Sequence, residues 1–176
     1  VADTEDVSLV VMGTKGAGSL ASKLLGSVAS NTISKVKKPL LIVPEKAIDF
    51  ELKNIVLASD LHTQSSEKLN VLISLAKSYS ARVNILYVNT GTNEKPNIDK
   101  AIEGIKLNSS LKDMDHDFVV MDNNDAEEGI NEYIAKQNTD VLAVIPHNYN
   151  FFERLFHRSV SKKLTLHSNI PLLVLN

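Results

Sequence analysis

Residues 9–27 read LVVMGTKGAGSLASKLLGS, an apolar run followed by a glycine-rich loop and then by a helical pattern. The run Leu9–Met12 predicts a buried β-strand, and the glycines after it leave backbone N–H groups uncovered at the start of the next helix. Those N–H groups carry partial positive charge and attract phosphate. The stretch therefore predicts a strand–loop–helix unit that binds an anionic ligand.

Apolar runs alternate with amphipathic segments along the rest of the chain. The strand-like runs are Leu40–Val43, Ile55–Ala58, Val83–Val88, Phe118–Met121, Val141–Ile145 and Leu172–Leu175. Nearly continuous β-branched and leucine runs, separated by helical patterns, are typical of a parallel sheet with both faces covered. We therefore predict an α/β fold whose complete domain has a parallel five-stranded sheet with helices on both faces.

The sequence also contains an internal repeat. Residues 39–42 read PLLI, and residues 171–174 read PLLV. Upstream, Leu9–Met12 aligns with Leu142–Ile145 if a one-residue gap is placed in the loop that follows. Repeats of this kind indicate that one structural unit occurs twice in the chain.

The repeat divides the chain into three regions. We expect residues 1–46 to form the C-terminal βαβ part of a first domain, residues 47–52 to be a linker, and residues 53–176 to be a complete second domain. A βαβ unit alone does not cover both faces of a sheet. A longer tandem parent, cut inside its first domain, is the simplest account of this pattern.

Composition argues against several functional classes. The formal net charge is −2 and cysteine is absent, which argues against general nucleic-acid or membrane electrostatics, disulfides and thiol chemistry. No apolar run has the length needed to cross a bilayer, and the acidic start VADTED does not resemble a signal peptide. We therefore expect a soluble cytoplasmic protein with neither nucleic-acid nor membrane partners.

The chain matches none of the common catalytic or phosphate motifs. A Walker A loop needs a lysine directly after its last glycine, where this chain has Ser19. A Rossmann fingerprint needs Gly-x-Gly-x-x-Gly after the first strand, whereas the order here is Gly-x-x-Gly-x-Gly. The histidines show no metal-ligand spacing, and Ser159 near His157 lacks the nucleophile elbow of a hydrolase. We therefore expect neither a metal site nor a catalytic one.

The pattern that does fit is Gly13, two residues, Gly16, nine residues, and then Gly26-Ser27. With this spacing, and with the flanking words VVMGT and KPLLIVP, the chain resembles the universal stress protein family over its whole length. The resemblance implies the strand order 3-2-1-4-5 in the complete domain. It also implies a stress-response regulator that binds an adenine nucleotide at the strand ends and catalyses no reaction.

In the first repeat of the intact parent, the resemblance implies ATP as the ligand, with Mg²⁺ accompanying it. Backbone groups at Gly13, Thr14 and Gly16 would approach the phosphates and the ribose. Gly26 and Ser27 would hold the phosphates near the start of the following helix. A purely structural role of the glycines, in turns and tight packing, stays open. The family's pocket also uses an aspartate from strand one and backbone groups from strand two, which this repeat lacks.

The second repeat contains the strand-one and strand-two positions that the first repeat lacks, but it has lost the glycines of the loop. Asp60 lies where the resemblance places the strand-one aspartate, and Val88 lies where strand two would meet an adenine. The gapped alignment puts Pro146 in place of the first glycine and Tyr149 near the second, so side chains would fill the space that a phosphate needs. The candidate ligand residues of this repeat are Asp60, Val88, His147, Arg158 and Ser159.

Two strands suggest how the protein associates. Family members pair through their last strand, and the two repeats end in Leu40–Pro44 and Leu172–Asn176. Antiparallel pairing of these strands, within one chain or in a homodimer, would cover edges that otherwise favour aggregation. The alternative function is therefore that of a dimerisation or interaction module that binds no nucleotide. In either case we expect an unidentified regulatory partner.

Overall fold

The structure, a computed structural model, describes residues 6–13, 35–47, 51–61, 66–91, 98–145 and 170–176. The strands are β1 Val10–Gly13, β2 Leu40–Val43, β3 Asn54–Ala58, β4 Arg82–Asn89, β5 His116–Asp122, β6 Val141–Val144 and β7 Leu172–Val174. The described helices are a 3-10 turn at Ser66–Leu69, α1 Asn70–Tyr79, α2 Ile98–Ser110 and α3 Ala126–Lys136. Together the strands form one seven-stranded sheet in the order β1-β2-β7-β6-β3-β4-β5.

The predicted α/β fold class is confirmed, although the sheet as a whole has seven strands and not only the five predicted for the complete domain. Strands β3 to β7 are parallel and lie in the order β5-β4-β3-β6-β7, which corresponds to 3-2-1-4-5. The order of the whole sheet differs, because β1 and β2 extend the same sheet instead of forming a separate unit. Leu41 of β2 lies opposite Leu173 of β7 in an antiparallel pair, and this pair makes the sheet mixed.

Helices cover both faces of the sheet. On one face, α1 and α2 contribute Leu72 and Leu107 to a core that includes Ile55 of β3. On the other face, α3 contributes Ile130 against Val56 of the same strand. Strand β3 is therefore buried on both sides, as a central strand of a covered parallel sheet should be. None of the described helices is long and apolar enough to cross a membrane.

The strand registers correct the alignment of the two repeats. Val10 pairs with Leu40, and 132 residues later Leu142 pairs with Leu172. In both repeats, the N–H of the first residue donates to the carbonyl of the proline before the second strand, at 2.9 and 3.0 Å. One offset therefore holds for both strands, and the one-residue gap placed between them is wrong.

The corrected alignment changes the counterpart of the first glycine. With a constant offset, Gly13 corresponds to Ile145 and not to Pro146. Gly13 is exposed at the end of β1, whereas Ile145 is only 5% exposed and belongs to the core on the α1–α2 face. In the second repeat, a buried apolar side chain therefore stands at the position where the first repeat has an exposed glycine.

Hydrogen bonds of Asp140 connect the start of β6 to the start of β3. Its Oδ2 accepts hydrogen bonds from the backbone N–H groups of Lys53 and Asn54, at 3.0 and 2.7 Å. Its own N–H donates to the Asn54 carbonyl at 2.9 Å. The carboxylate thus gives the Asn54 N–H an acceptor and shares the Lys53 N–H with the Glu51 carbonyl, which accepts from it at 3.0 Å.

The variant Asp140→Ala should lower the free energy of unfolding by about 1–3 kcal/mol, because the part-buried Asn54 N–H loses this acceptor and the Lys53 N–H keeps only the Glu51 carbonyl. Asp140→Asn is the matched control, since its amide oxygen still accepts a hydrogen bond, and it should cost less. Urea denaturation of both variants measures the difference. Equal losses in the two variants would contradict this role of the side-chain oxygen.

Candidate ligand sites at the strand ends

Strand β3 lies at the point where the sheet reverses its order. The chain leaves β3 toward β4 on one side and later returns as β6 on the other side. Ligands of open α/β sheets bind in the crevice beyond the carboxyl ends of the strands at such a switch point. Because β3 ends at Ala58, the crevice begins with the next residues, 59 to 61.

A turn anchored by Ser59 shapes this crevice. The Ser59 N–H donates to the Leu86 carbonyl at 3.0 Å, and its Oγ accepts from the Leu61 N–H at 3.1 Å. Leu61 has a φ of 56°, which is uncommon for a leucine, and burial of its side chain holds it there. The fixed turn leaves Asp60 exposed at the mouth of the crevice. Sequence reasoning found Asp60 but missed Ser59, which positions it.

Val88 presents its backbone, not its side chain, to this end of the sheet. The side chain is 8% exposed and packs on α3, where a Cβ added to Gly129 would lie 2.7 Å from Val88 Cγ1. Carbonyls two residues apart on a strand point the same way. The Val88 carbonyl therefore points toward β3, as the Leu86 carbonyl does when it accepts from Ser59.

The ends of β4 and β5 are joined by polar side chains. Asn89 Nδ2 donates to Asp122 Oδ1 at 2.7 Å, and the Asn123 N–H donates to the Asn89 carbonyl at 3.0 Å. Asp125 then caps α3, because its Oδ1 accepts from the N–H groups of residues 127 and 128 at 2.8 and 3.1 Å. These bonds fix the chain beyond the carboxyl ends of β4 and β5, next to the crevice. Within the described ranges, no three His, Asp or Glu side chains are placed to hold a metal ion.

A cation lies beside the crevice on the α1–α2 face. Lys100, in the first turn of α2, has its Nζ 5.7 Å from the centre of the Tyr87 ring. Tyr87 directly precedes Val88, so this ammonium group lies near the carboxyl end of β4. It places a positive charge at the same end of the sheet as Asp60, which follows β3 and is exposed.

Two ion pairs on the surface shift the pKa values of their glutamates. A hydrogen bond from Lys53 lowers the pKa of Glu51, and one from Lys136 lowers the pKa of Glu132. Both glutamates are on the surface, where such pairs contribute little to stability. They therefore give no sign of a tuned ligand site at those positions.

The sequence matches the universal stress protein family over residues 1–44 and 51–176. The match takes in the glycine loop of the first repeat and the whole of the second. The chain belongs to this family.

The chain is also similar to solved structures and to a curated protein of this family. The fold is similar to a universal stress protein from Archaeoglobus fulgidus, with a TM-score of 0.66, 17% identity and coverage of 98% of this chain and 62% of that chain. It is also similar to a universal stress protein solved in complex with cAMP, with a TM-score of 0.52, 12% identity and coverage of 72% and 99%. At these identities the two structures show the fold alone.

Among curated proteins, universal stress protein MJ0577 of Methanocaldococcus jannaschii is 44% identical over 46 residues, which are 26% of this chain and 28% of that protein. The chain thus spans less than two thirds of this relative and of the Archaeoglobus structure.

In this universal stress protein, the described candidate residues of the two repeats lie at opposite ends of the sheet. Asp60 follows β3, and Val88 lies near the carboxyl end of the neighbouring parallel strand β4, at the same end of the sheet. Gly13 ends β1, which runs opposite to β3 because of the antiparallel pair between β2 and β7. Gly13 therefore lies at the other end of the sheet, with β2, β7 and β6 between β1 and β3. The candidates outside the described residues are Thr14, Gly16, Gly26, Ser27, His147, Arg158 and Ser159.

Proposed function

We propose that this universal stress protein is a regulator that binds an adenine nucleotide, ATP with Mg²⁺, through the glycine loop of its first repeat. It carries out no chemical step of its own and acts in the cytoplasm, as its composition predicts. The observation that carries the proposal is the exposed Gly13 at the carboxyl end of β1. It stands directly before the loop with Gly16 and Gly26-Ser27. A family relative bound to cAMP supports an adenine nucleotide as the ligand.

The chemistry of the loop suits a polyphosphate. Glycines let backbone N–H groups approach the phosphates closely, since no Cβ intervenes. The following helical pattern adds N–H groups with partial positive charge, and Ser27 adds a hydroxyl donor. A nucleotide held there would regulate by favouring one arrangement of the protein over another.

The second repeat is the weaker candidate for the same ligand. Asp60 could accept bonds from the ribose hydroxyls, and the Val88 carbonyl could accept from the adenine amino group. His147, Arg158 and Ser159 would have to attract the phosphates in place of the glycines. The buried Ile145 at the position of Gly13 argues against it, because a packed apolar side chain replaces a bare strand end.

Calorimetric titration with Mg-ATP separates the two sites. Gly16→Val should weaken binding by about a hundredfold or more, since a branched side chain covers the N–H groups that the phosphates use. Asp60→Asn is the control at the opposite end of the sheet and should leave the affinity unchanged. Unchanged binding by Gly16→Val, or loss of binding by Asp60→Asn, would place the ligand elsewhere. No heat from the wild-type chain would refute nucleotide binding.

A second candidate function is an interaction module without a nucleotide. The observation that favours it is the antiparallel β2–β7 pair, in which the terminal strands of both repeats cover each other. Within this chain the pair occupies the edges of Leu40–Pro44 and Leu172–Asn176, and Asn176 Nδ2 also donates to the Val36 carbonyl at 2.8 Å. A homodimer through the same strands would therefore require this pair to open.

A further inference from the structure

We propose that the outer edge of β5 binds an extended basic segment of a partner protein, which adds a strand to the sheet and places apolar side chains beside α2. The proposal does not depend on nucleotide binding. It uses the edge of the sheet opposite to β1, away from the β2–β7 pair.

The outer side of β5 offers backbone groups for pairing. Among the described strands, β5 pairs with β4 alone. Just before β5, the Asp115 carbonyl accepts a hydrogen bond from β4 at 2.9 Å, and just after it the Asn123 N–H donates one to β4 at 3.0 Å. Lateral directions alternate along a strand, so the odd-numbered residues face β4. The N–H and carbonyl groups of Phe118 and Val120 therefore point outward.

One face of this edge is apolar. Phe118 and Val120 are 37% and 59% exposed and, being two residues apart, lie on the same face of the strand. That face meets α2, because a Cβ added to Gly104 would lie 3.5 Å from Phe118 Cζ. Ile102 and Ile105 flank this glycine in α2 and are 44% and 67% exposed. Four of the six large exposed apolar side chains among the described residues thus gather here, and such gatherings mark interaction surfaces.

The other face of the edge is acidic. Val119 and Met121 pack against the core on the α3 face, so Asp117, which alternates with them in register, lies on that face too. Asp117 and Asp115 both form ion pairs with Arg82. Because one guanidinium faces two carboxylates, this face keeps a negative charge. A lysine or arginine of a bound strand would be attracted to it.

The two faces together define the chemistry of the partner. Segments that add a strand to a sheet gain main-chain hydrogen bonds, and their alternate side chains provide specificity. Apolar side chains at every second position would lie against Phe118 and Val120, and basic side chains between them would lie beside Asp117. A second copy of β5 fits less well, since it brings the same carboxylates to the edge and like charges oppose pairing.

Amide chemical shifts of the full chain, recorded during titration with synthetic peptides, test this edge. The probe is a capped heptapeptide of alternating valine and lysine. It should shift the N–H resonances of Phe118 and Val120 more than those of Val119 and Met121, which face β4. Absence of such shifts would overturn the proposal.

Two matched peptides separate the contributions of charge and of strand pairing. A peptide of alternating valine and glutamate reverses the charge, and a valine–lysine peptide with methylated backbone nitrogens has no N–H groups to pair. Each should bind at least about tenfold more weakly than the probe. Equal binding of the first would refute the charge argument, and equal binding of the second would refute the added strand.

Variants of the chain locate the binding surface. Val120→Lys should weaken binding of the valine–lysine peptide about tenfold or more, because a like charge replaces an apolar contact. Tyr79→Lys is the matched control, since Tyr79 is 62% exposed at the end of α1 and lies outside this edge; it should leave the affinity unchanged. Circular dichroism checks that both variants are folded. Equal weakening by the two variants would contradict the assignment.

Sedimentation velocity distinguishes a partner protein from a second copy of this chain. The wild-type chain should form no dimer through β5. A dimer that Val120→Lys abolishes and Tyr79→Lys preserves would assign the edge to a second copy and would overturn the proposal.

Discussion

Replacing Leu173 with alanine is expected to lower the free energy of unfolding by about 3–5 kcal/mol. Leu173 is fully buried in β7 and lies opposite Leu41 in the antiparallel pair that joins the two repeats. The core around it includes side chains from β3, β4 and β6. Truncation would remove apolar contacts on the α1–α2 face at the point where the sheet changes direction.

Leu41→Ala provides the matched control, because the residue type and the pairing position are the same. Leu41 is only partly buried against this core, so its loss should cost about 1–2 kcal/mol. Urea denaturation followed by circular dichroism gives both values. If Leu41→Ala cost as much as Leu173→Ala, the core would not be arranged around β7 as described.

A second large effect is expected at Gly129, where α3 meets β4. A Cβ at this position would lie 2.7 Å from Val88 Cγ1 and 3.1 Å from Asn123 Cβ. Gly129→Ala should therefore displace α3 and lower the free energy of unfolding by about 1–3 kcal/mol. Gly129→Val should cost more, since two further methyl groups have to enter the same contact.

Gly104, in the middle of α2, is the control for this substitution. Its added Cβ would lie 3.5 Å from Phe118 Cζ, an ordinary contact distance. Gly104→Ala should raise stability by about 0.4–1 kcal/mol, because alanine restricts the unfolded chain and favours the helix. Thermal and urea unfolding of both variants measure the contrast. A stabilised Gly129→Ala variant would contradict the close approach of α3 to Val88.

The strands were predictable because each is a short apolar run between polar segments. Leu40–Val43 was placed at its observed limits, and the other strands differ from the predicted runs by a few residues. The hydrophobic pattern alone could not show that β1 and β2 would enter the same sheet as β3 to β7. The family resemblance suggested antiparallel pairing of Leu40–Pro44 with Leu172–Asn176, and the structure has Leu41 of β2 opposite Leu173 of β7 in such a pair.

The candidate site was predictable in its position more than in its contacts. The switch-point rule placed a ligand near Asp60, and the family resemblance placed Val88 beside it; in the structure Asp60 follows β3 and Val88 lies near the end of β4. The role of Gly129 was not predictable, because a lone helical glycine indicates close packing without naming its partner. The counterpart of Gly13 was misassigned to Pro146, because loop composition alone does not set a strand register.

Amide chemical shifts recorded during a titration with Mg-ATP test the central claim most directly. The two candidate sites lie at opposite ends of the sheet, so their resonances report binding separately. Nucleotide binding through the first repeat predicts shifts concentrated at Gly13, Thr14, Gly16, Gly26 and Ser27. Shifts concentrated at Asp60 and Val88, or a spectrum that the nucleotide leaves unchanged, would contradict it.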